Sequence, residues 1–494
     1  MEKNHVLTFF YNSIRGNQYV ELYLYDLLSS TVGNGREKLD LLSVLYRLIG
    51  YTRDIVHGKG EYTLAFGQLY TWYLFYPDLC FAALQHFFYG DIDILTNKET
   101  HPWGSWKDVK YLCQYVYEKS GNVYHPIILS VISLLICQIK RDMVAERPSL
   151  AAKWAPREGK KFGWVNTIIV QMFYPEITKS GKESAYRKAK MLFRKTISTI
   201  NRKLNTVQIN MCNKNWDAIE MKNVTSLTMQ RNYSTFEKRV PAKMESFIND
   251  VKGGTSSING GRCNLYGLVK AALHSKSEIV NIQWKEYTKN IKRMNYIPVI
   301  NVSSIMENNS PYDTYVSIGL GLIVSEKNNS KFKNRLMIFA GTATWLNLEG
   351  LTFRERVHKV WSKIGGFENV YRPFEKIVEA LVNLNYSQED VCKLNILLVS
   401  SRVEYSKIQD IFKKAHYNNI PKIAFWNLWE ISGMPCDGSN ENVVFLSGYD
   451  PRALNILSNN GRKKYKKTPW WQLKKLVDNK RYDCLDFYIR KKFS

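Results

Sequence analysis

The chain has 494 residues, 45% hydrophobic and 23% charged, which is apolar material for roughly three packed domains and excludes wholesale disorder. The longest apolar run, 127–139, contains Gln138 and is too short to cross a bilayer, so no membrane association is expected. Seventy Lys and Arg against 44 Asp and Glu leave a net charge of +26. That excess favours a polyanionic partner, or else records a lysine-rich composition with solvated side chains.

In chain order, the first half reads as paired helices. Residues 61–75 place Leu64, Leu69, Trp72 and Tyr73 on one helical face. Pro77 is expected to end that helix, and Asp78 to cap a second over 79–88. The break at His101-Pro102-Trp103-Gly104-Ser105 precedes a helix expected over 106–117, and His125-Pro126 precedes one over 127–139. Helix pairs of this kind suggest an α-helical repeat, a HEAT-like solenoid or ring, although no strict period marks it. Residues 179–204 form a basic helical stretch with Arg194 and Lys195 outside and Leu192, Phe193, Ile197 and Ile200 facing a core. The loop 252–261 is the clearest in the chain, and a domain boundary is expected near Met294.

Beyond that point strands alternate with helices. Strands are expected over 296–302, 335–340, 394–399, 422–427 and 442–446, with helices over 315–324, 353–364, 374–384, 405–416 and 451–457. This order predicts an α/β, doubly wound parallel sheet, whose sites lie at the carboxyl ends of its strands. Asn301 stands at such an end. Gly319-x-Gly321 reads as a helix-packing feature. Residues 461–494 hold 12 Lys and Arg against three Asp and Glu, including Arg462-Lys463-Lys464-Tyr465-Lys466-Lys467. That run reads as an import signal, a nucleic-acid arm or a solvated tail.

Eight scattered cysteines form no CxxC, and Met1-Glu2-Lys3-Asn4-His5 has no signal-peptide layout. A reducing, cytoplasmic location is expected, with nuclear import as the alternative. Gly58-Lys59-Gly60 lacks the spacing of a phosphate-binding P-loop. His57, His101 and His125 are expected to cap or pack, and no nucleophile–base set is present. No enzyme activity and no cofactor are therefore expected.

Several segments together resemble a domain family of unknown function found in plants, protists and large DNA viruses. They are Tyr51-Thr52-Arg53-Asp54-Ile55 with Gly58-Lys59-Gly60-Glu61; Trp72-Tyr73 with Tyr76-Pro77-Asp78-Leu79; His101 to Asp108; Lys153 to Glu158 with Lys161-Phe162-Gly163-Trp164; and Asn223 to Met229. In the second half, Ala424-Phe425-Trp426-Asn427-Leu428 and Leu446-Ser447-Gly448-Tyr449 add to the likeness. The resemblance covers about 45–460 and is strongest to mimivirus-type viral members. It implies a relation to the Ro-type TROVE modules, rings of helical repeats joined to a von Willebrand A-type domain. The implied layout is an N-terminal helical segment (1–44), a TROVE-like helical-repeat domain (45–294), a von Willebrand A-type domain (295–460) and a basic tail (461–494).

The resemblance also places a metal site, and the sequence departs from it. Where the family carries Asp-x-Ser-x-Ser, this chain has Asn301-Val302-Ser303-Ser304-Ile305, so only Ser303 remains an oxygen ligand of the expected kind. The second loop's Thr falls on Glu368 and the third loop's Asp on Arg402. Magnesium asks for near-octahedral oxygen ligands with carboxylates among them, which these residues do not supply. The site is therefore expected to hold no metal, with an Arg402–Glu368 salt link in the cation's place.

TROVE-type rings bind RNA through surface cations, so the resemblance implies a nucleic-acid surface formed by Arg53, Lys59, Lys107, Arg157, Lys160, Lys161, Arg194, Lys195, Lys463 and Lys464. Trp103, Trp106, Trp154 and Trp164 could stack on unpaired bases. The bland reading makes Arg53-Asp54 and Lys107-Asp108 helix-terminal ion pairs and the tryptophans core, and for the tryptophans it is favoured. The expected function is a non-catalytic RNA-binding ribonucleoprotein component. The alternative is a structural or protein-interaction component of a large DNA virus particle, with a protein partner on the von Willebrand A-type domain.

Overall fold

The computed structural model describes residues 3–30, 36–93, 98–258, 263–274, 278–302, 311–366, 369–400, 403–429, 433–458 and 468–493. The chain forms two compact units, each built from two pieces: 1–20 with 220–479, and 21–219 with 480–494.

The second of these units is mostly helical. Tyr62–Phe75 and Pro77–His86 form the expected pair, but the proline works differently from expectation. Pro77 occupies the first position of the second helix, where its missing N–H costs no hydrogen bond, and Tyr76 is the hinge residue shared by both ends. A small antiparallel ribbon (β1, Ile92–Asp93; β2, Lys98–Glu99) precedes the helix Asp108–Ser120. His125 caps the next helix, Pro126–Val144, by accepting the Ile127 N–H at Nδ1. The basic stretch is the helix Glu183–Leu204, with Ala189, Phe193 and Ile200 buried.

The segment read as a basic tail is folded from residue 468 onward. Its last helix, Asp483–Phe493, belongs to the helical unit and buries Leu485 and Ile489, one helical turn apart. Ion pairs fasten it. Arg47 bonds Asp483 and Asp486, and Arg481 grips Asp54 through Nε at 2.6 Å and through its other nitrogen at 3.0 Å. The Tyr482 hydroxyl donates to the same Asp54 carboxylate at 3.0 Å.

The other unit holds a six-stranded sheet: β3 (Ile297–Asn301), β4 (Arg335–Phe339), β5 (Ala343–Asn347), β6 (Asn395–Val399), β7 (Lys422–Asn427) and β8 (Val443–Ser447). Their order is β5-β4-β3-β6-β7-β8. All neighbours are parallel except β4 and β5. The sheet is thus mixed, and the sequence reading missed β5. Only a short connection separates β4 from β5, and such a link joins strands antiparallel. Strands β6 to β8 are near-continuous apolar runs because helices cover both faces. Winding outward from β3 to β4 and, on the other side, to β6 places the switch point between β3 and β6.

Helix Pro311–Lys327 crosses this sheet. A Cβ at Gly319 would lie 2.5 Å from the Leu265 side chain, and one at Gly321 would lie 2.8 Å from Ile300. The two glycines therefore allow the close packing expected of them. Residues 220–294 contribute Ser226–Arg239, Pro241–Lys252, Leu265–His274 and Ile279–Thr288 to this unit. The helix Lys3–Asn12 joins it too. Asn427 and Ser447 donate to the Tyr11 and Phe10 carbonyls at 2.9 Å each, and Tyr11 packs in the core with its ring 5.2 Å from that of Phe445.

The Asp54 carboxylate is fully buried, so its loss strands the Arg481 guanidinium. Asp54→Ala is expected to cost about 3 kcal/mol in urea unfolding of the helical unit. A cost below about 1 kcal/mol would show that the C-terminal helix docks without this pair.

Candidate functional site

The mouth of the sheet, at the carboxyl ends of β3 and β6, is where the sequence placed a degenerate metal site. Asn301 ends β3, and its carbonyl accepts the Ser317 hydroxyl at 3.0 Å. Val302 donates to Phe339 at 3.0 Å and accepts Gly365 N–H at 3.4 Å, which brings the second loop beside the first. Buried Ser400 follows β6 directly. These observations bring the described parts of the three loops to one end of the sheet. Ser303, Ile305, Glu368 and Arg402 lie outside the described residues, as do Lys463 and Lys464. Sequence reasoning passed over Asp313, buried in the first turn of Pro311–Lys327, whose carboxylate accepts the Tyr449 hydroxyl at 2.6 Å. The signal available was an acid at a helix start just after a strand, a pattern that more often serves the helix dipole.

The helical unit sorts the remaining predicted cations into two sets. The first faces inward. Arg53 is buried and donates to Asp108 through Nε at 2.8 Å and through a terminal nitrogen at 2.5 Å. Gly104 makes room for this pair, since a Cβ there would lie 2.4 Å from the Asp108 carboxylate. Ser105 N–H donates to the same carboxylate at 3.0 Å. Asp54 is held by Arg481 and Asp108 by Arg53, so neither Arg53-Asp54 nor Lys107-Asp108 forms an ion pair between adjacent residues. Lys59 is buried as well, and burial pulls its ammonium down to about 7, with Glu61 opposing the shift. Neither Arg53 nor Lys59 offers charge to solvent, which corrects their placement on a nucleic-acid surface.

The second set is a surface cluster. Lys107, Arg157, Lys160 and Lys161 are exposed. Lys107 stands at the start of Asp108–Ser120, Trp154 ends the short helix Ala151–Trp154, and the turn 157–163 follows it. The Lys107 and Lys110 ammonium groups lie 5.6 and 5.1 Å from the centre of the half-buried Trp154 ring, within cation–π range. Phe162 and Tyr111 adjoin, with rings 5.3 Å apart, and Lys110 sits 5.7 Å from Phe162. Lys153 lies 5.7 Å from the Trp154 ring and bonds Gln208 at 3.0 Å. Burial, then the cations of Lys107 and Arg157, hold the Lys110 ammonium below the ordinary lysine range. Among the described residues, none of Lys107, Lys110 and Arg157 makes an ion pair. Arg194 and Lys195 are exposed on Glu183–Leu204, where Arg194 and Lys190 reach Glu158 at 3.8 and 3.1 Å. Glu158 thereby ties that helix to the turn.

Lys110 and Tyr111 escaped the sequence reading, and Lys153 and Phe162 entered it only within family-like motifs, without a place on the surface. The spacing Lys107-x-x-Lys110 on a helix was the usable signal, because residues three apart share a face. Trp103 and Trp106 are core, as favoured, while Trp154 and Trp164 are half-buried.

The chain matches two family models. One described as Domain of unknown function (DUF2828) matches residues 135–296, and one described as Domain of unknown function (DUF7788) matches residues 295–484. The junction of the matches falls at the start of β3, where the sheet begins. An uncharacterised protein of Acanthamoeba polyphaga mimivirus is 21% identical, over 87% of this chain and 78% of its own length. The viral likeness read from the sequence motifs agrees with that similarity.

Lys59 supplies a pH test. Its folded pKa lies below the ordinary 10.5, so the folded chain binds this proton more weakly than the unfolded chain does. Its contribution to stability is greatest above 10.5, falls as the pH drops toward 7, and is level below that. Lys59→Met is expected to raise the thermal midpoint at pH 7 and to flatten the stability profile across that window, as followed by circular dichroism. A lowered midpoint with an unchanged profile would contradict this.

Proposed function

We propose that this chain is a non-catalytic RNA-binding component of a ribonucleoprotein, with a TROVE-like helical region and a von Willebrand A-type domain that works without a divalent cation. The observation that carries the reading is the cluster around Trp154. Among the described residues Lys107, Lys110 and Arg157 have no carboxylate in ion-pair contact, and Lys110 feels the charges of the other two. A polyanion relieves that repulsion. The half-buried indole, with Phe162 and Tyr111 beside it, offers a face on which an unpaired base can stack between the cations. Asp108, next to Lys107 in sequence, turns inward to Arg53, and Glu158, next to Arg157, is taken by Lys190 and Arg194.

This chemistry predicts binding led by phosphate contacts, with weak sequence preference. At the mouth of the sheet, Asn301 offers an amide where the family carries a carboxylate, which favours a site held together by protein side chains alone.

The test is fluorescence anisotropy of a labelled single-stranded RNA across a salt series from about 50 to about 200 mM. The wild-type chain is expected to bind at low salt with a steep salt slope. The Lys107→Glu, Lys110→Glu, Arg157→Glu variant should weaken binding by at least about tenfold and make the slope shallower by about 2. Trp154→Ala should cost about 1 kcal/mol at every salt concentration. Absence of low-salt binding by the wild type, or a triple variant with unchanged slope, overturns the reading. For the mouth, metal analysis of the purified chain is expected to find no stoichiometric Mg²⁺ or Mn²⁺, and finding either would overturn that part.

A further inference from the structure

We propose that His86, Asp91 and Cys484 of the helical unit form a binding site for a zinc-type divalent cation. His86 closes the helix Pro77–His86, Asp91 lies just before the ribbon strand β1, and Cys484 is in the first turn of Asp483–Phe493. Their ligand atoms lie within 4.8 Å of one another, and His86 Nδ1 is 3.2 Å from the Asp91 carboxylate. Cys484 is remote in sequence from His86 and Asp91, so no motif spacing announces the set. The fold brings them together by returning the C-terminal segment to the helical unit.

Hydrogen bonds and ring packing hold each of the three residues. The His86 side chain is 10% exposed, its ring lies 5.0 Å from that of Trp103, and its carbonyl accepts the Trp103 N–H at 2.9 Å. Asp91 is fixed through Thr100, whose hydroxyl accepts the Asp91 N–H at 2.9 Å and whose own N–H donates to the Asp91 carbonyl at 2.7 Å. Cys484 follows the Arg481–Asp54 pair, and its Sγ approaches the Arg481 carbonyl at 3.8 Å. With the backbones held, side-chain rotations of about 1 Å suffice to bring the three ligand atoms to metal–ligand lengths of about 2.0–2.3 Å.

The donor chemistry selects the ion. Imidazole nitrogen with a thiolate suits zinc-type ions and does not suit Mg²⁺ or Ca²⁺, which take all-oxygen shells. Three protein ligands leave one tetrahedral position for water, and the 44% exposure of the Asp91 side chain gives the ion its way in. On binding, an Sγ–metal bond forms, the thiol proton passes to water, and no oxidation state changes. Thiolate and carboxylate together neutralise the dication. The ion would tie the 77–100 segment to the last helix, so it should stabilise the helical unit by linkage. This inference is independent of the nucleic-acid reading.

The experiment uses full-length chain, stripped with chelator, in which the exposed thiols are removed by Cys137→Ser, Cys212→Ser and Cys392→Ser. Titration with Co²⁺ is expected to give a thiolate-to-cobalt charge-transfer band and tetrahedral visible bands that saturate at one equivalent and vanish when Zn²⁺ is added. Adding Cys484→Ser should abolish the charge-transfer band, and His86→Ala should weaken Co²⁺ binding at least about tenfold. Zn²⁺ should raise the thermal midpoint of the parent and leave that of the Cys484→Ser chain unmoved. Metal-free melts of each variant verify that it is folded, and Asp91→Asn, the mildest change, repeats the affinity test if either other variant is not. A missing charge-transfer band, one that survives Cys484→Ser, or Co²⁺ affinity unaffected by Asp91→Asn overturns the site.

Discussion

A charge taken out of water must find a partner, and in the helical unit two buried carboxylates meet that demand. Asp108 holds Arg53, and Asp54 holds Arg481. Each pair joins segments far apart in the chain, and each is supported by further donors, Ser105 N–H in one case and the Tyr482 hydroxyl in the other. Replacing a partner leaves an uncompensated charge inside, which is why such pairs specify one arrangement even where their net contribution to stability is small. Two of the segments on which the sequence resemblance rests, 51–54 and 101–108, hold Arg53, Asp54 and Asp108 of these pairs and the glycine that makes room for one of them.

The inward use of acid has an outward consequence. With Asp54 and Asp108 committed to buried partners, Lys107, Lys110 and Arg157 have no carboxylate partner among the described residues, and the two lysines lie against the rings of Trp154 and Tyr111. A net charge of +26 says little alone, since solvated lysines produce it equally well. Cations gathered over an aromatic face, with Lys110 losing proton affinity to burial and to its neighbours, are a more specific signal. At the mouth of the sheet the trend runs the other way: Asp313 is engaged by Tyr449, and Asn301 brings no charge.

Much of the sheet was legible because β6, β7 and β8 are β-rich apolar runs buried on both faces, which leaves few alternatives to a strand. β5 was not, because Ala343, Thr344 and Trp345 sit half-buried at an edge and show no comparable run. The last helix was hidden by its own lysines, which masked Leu485 and Ile489. Arg53 was misplaced because an arginine beside glycines suits a phosphate and a buried carboxylate equally, and only the tertiary fold reveals which is near. Lys107, Arg157, Lys160 and Lys161 were legible as surface cations. The convergence of Lys107, Lys110 and Lys153 on Trp154 was not, since it arises from packing between separate helices.

The most direct measurement is ultraviolet crosslinking of the full-length chain to a bound RNA, followed by mass spectrometry of the joined peptides. Nucleotide adducts on Trp154, Tyr111 or Phe162, lost when Lys107 and Arg157 are reversed in charge, are the predicted result. Adducts confined to other surfaces, or none at low salt, would contradict it.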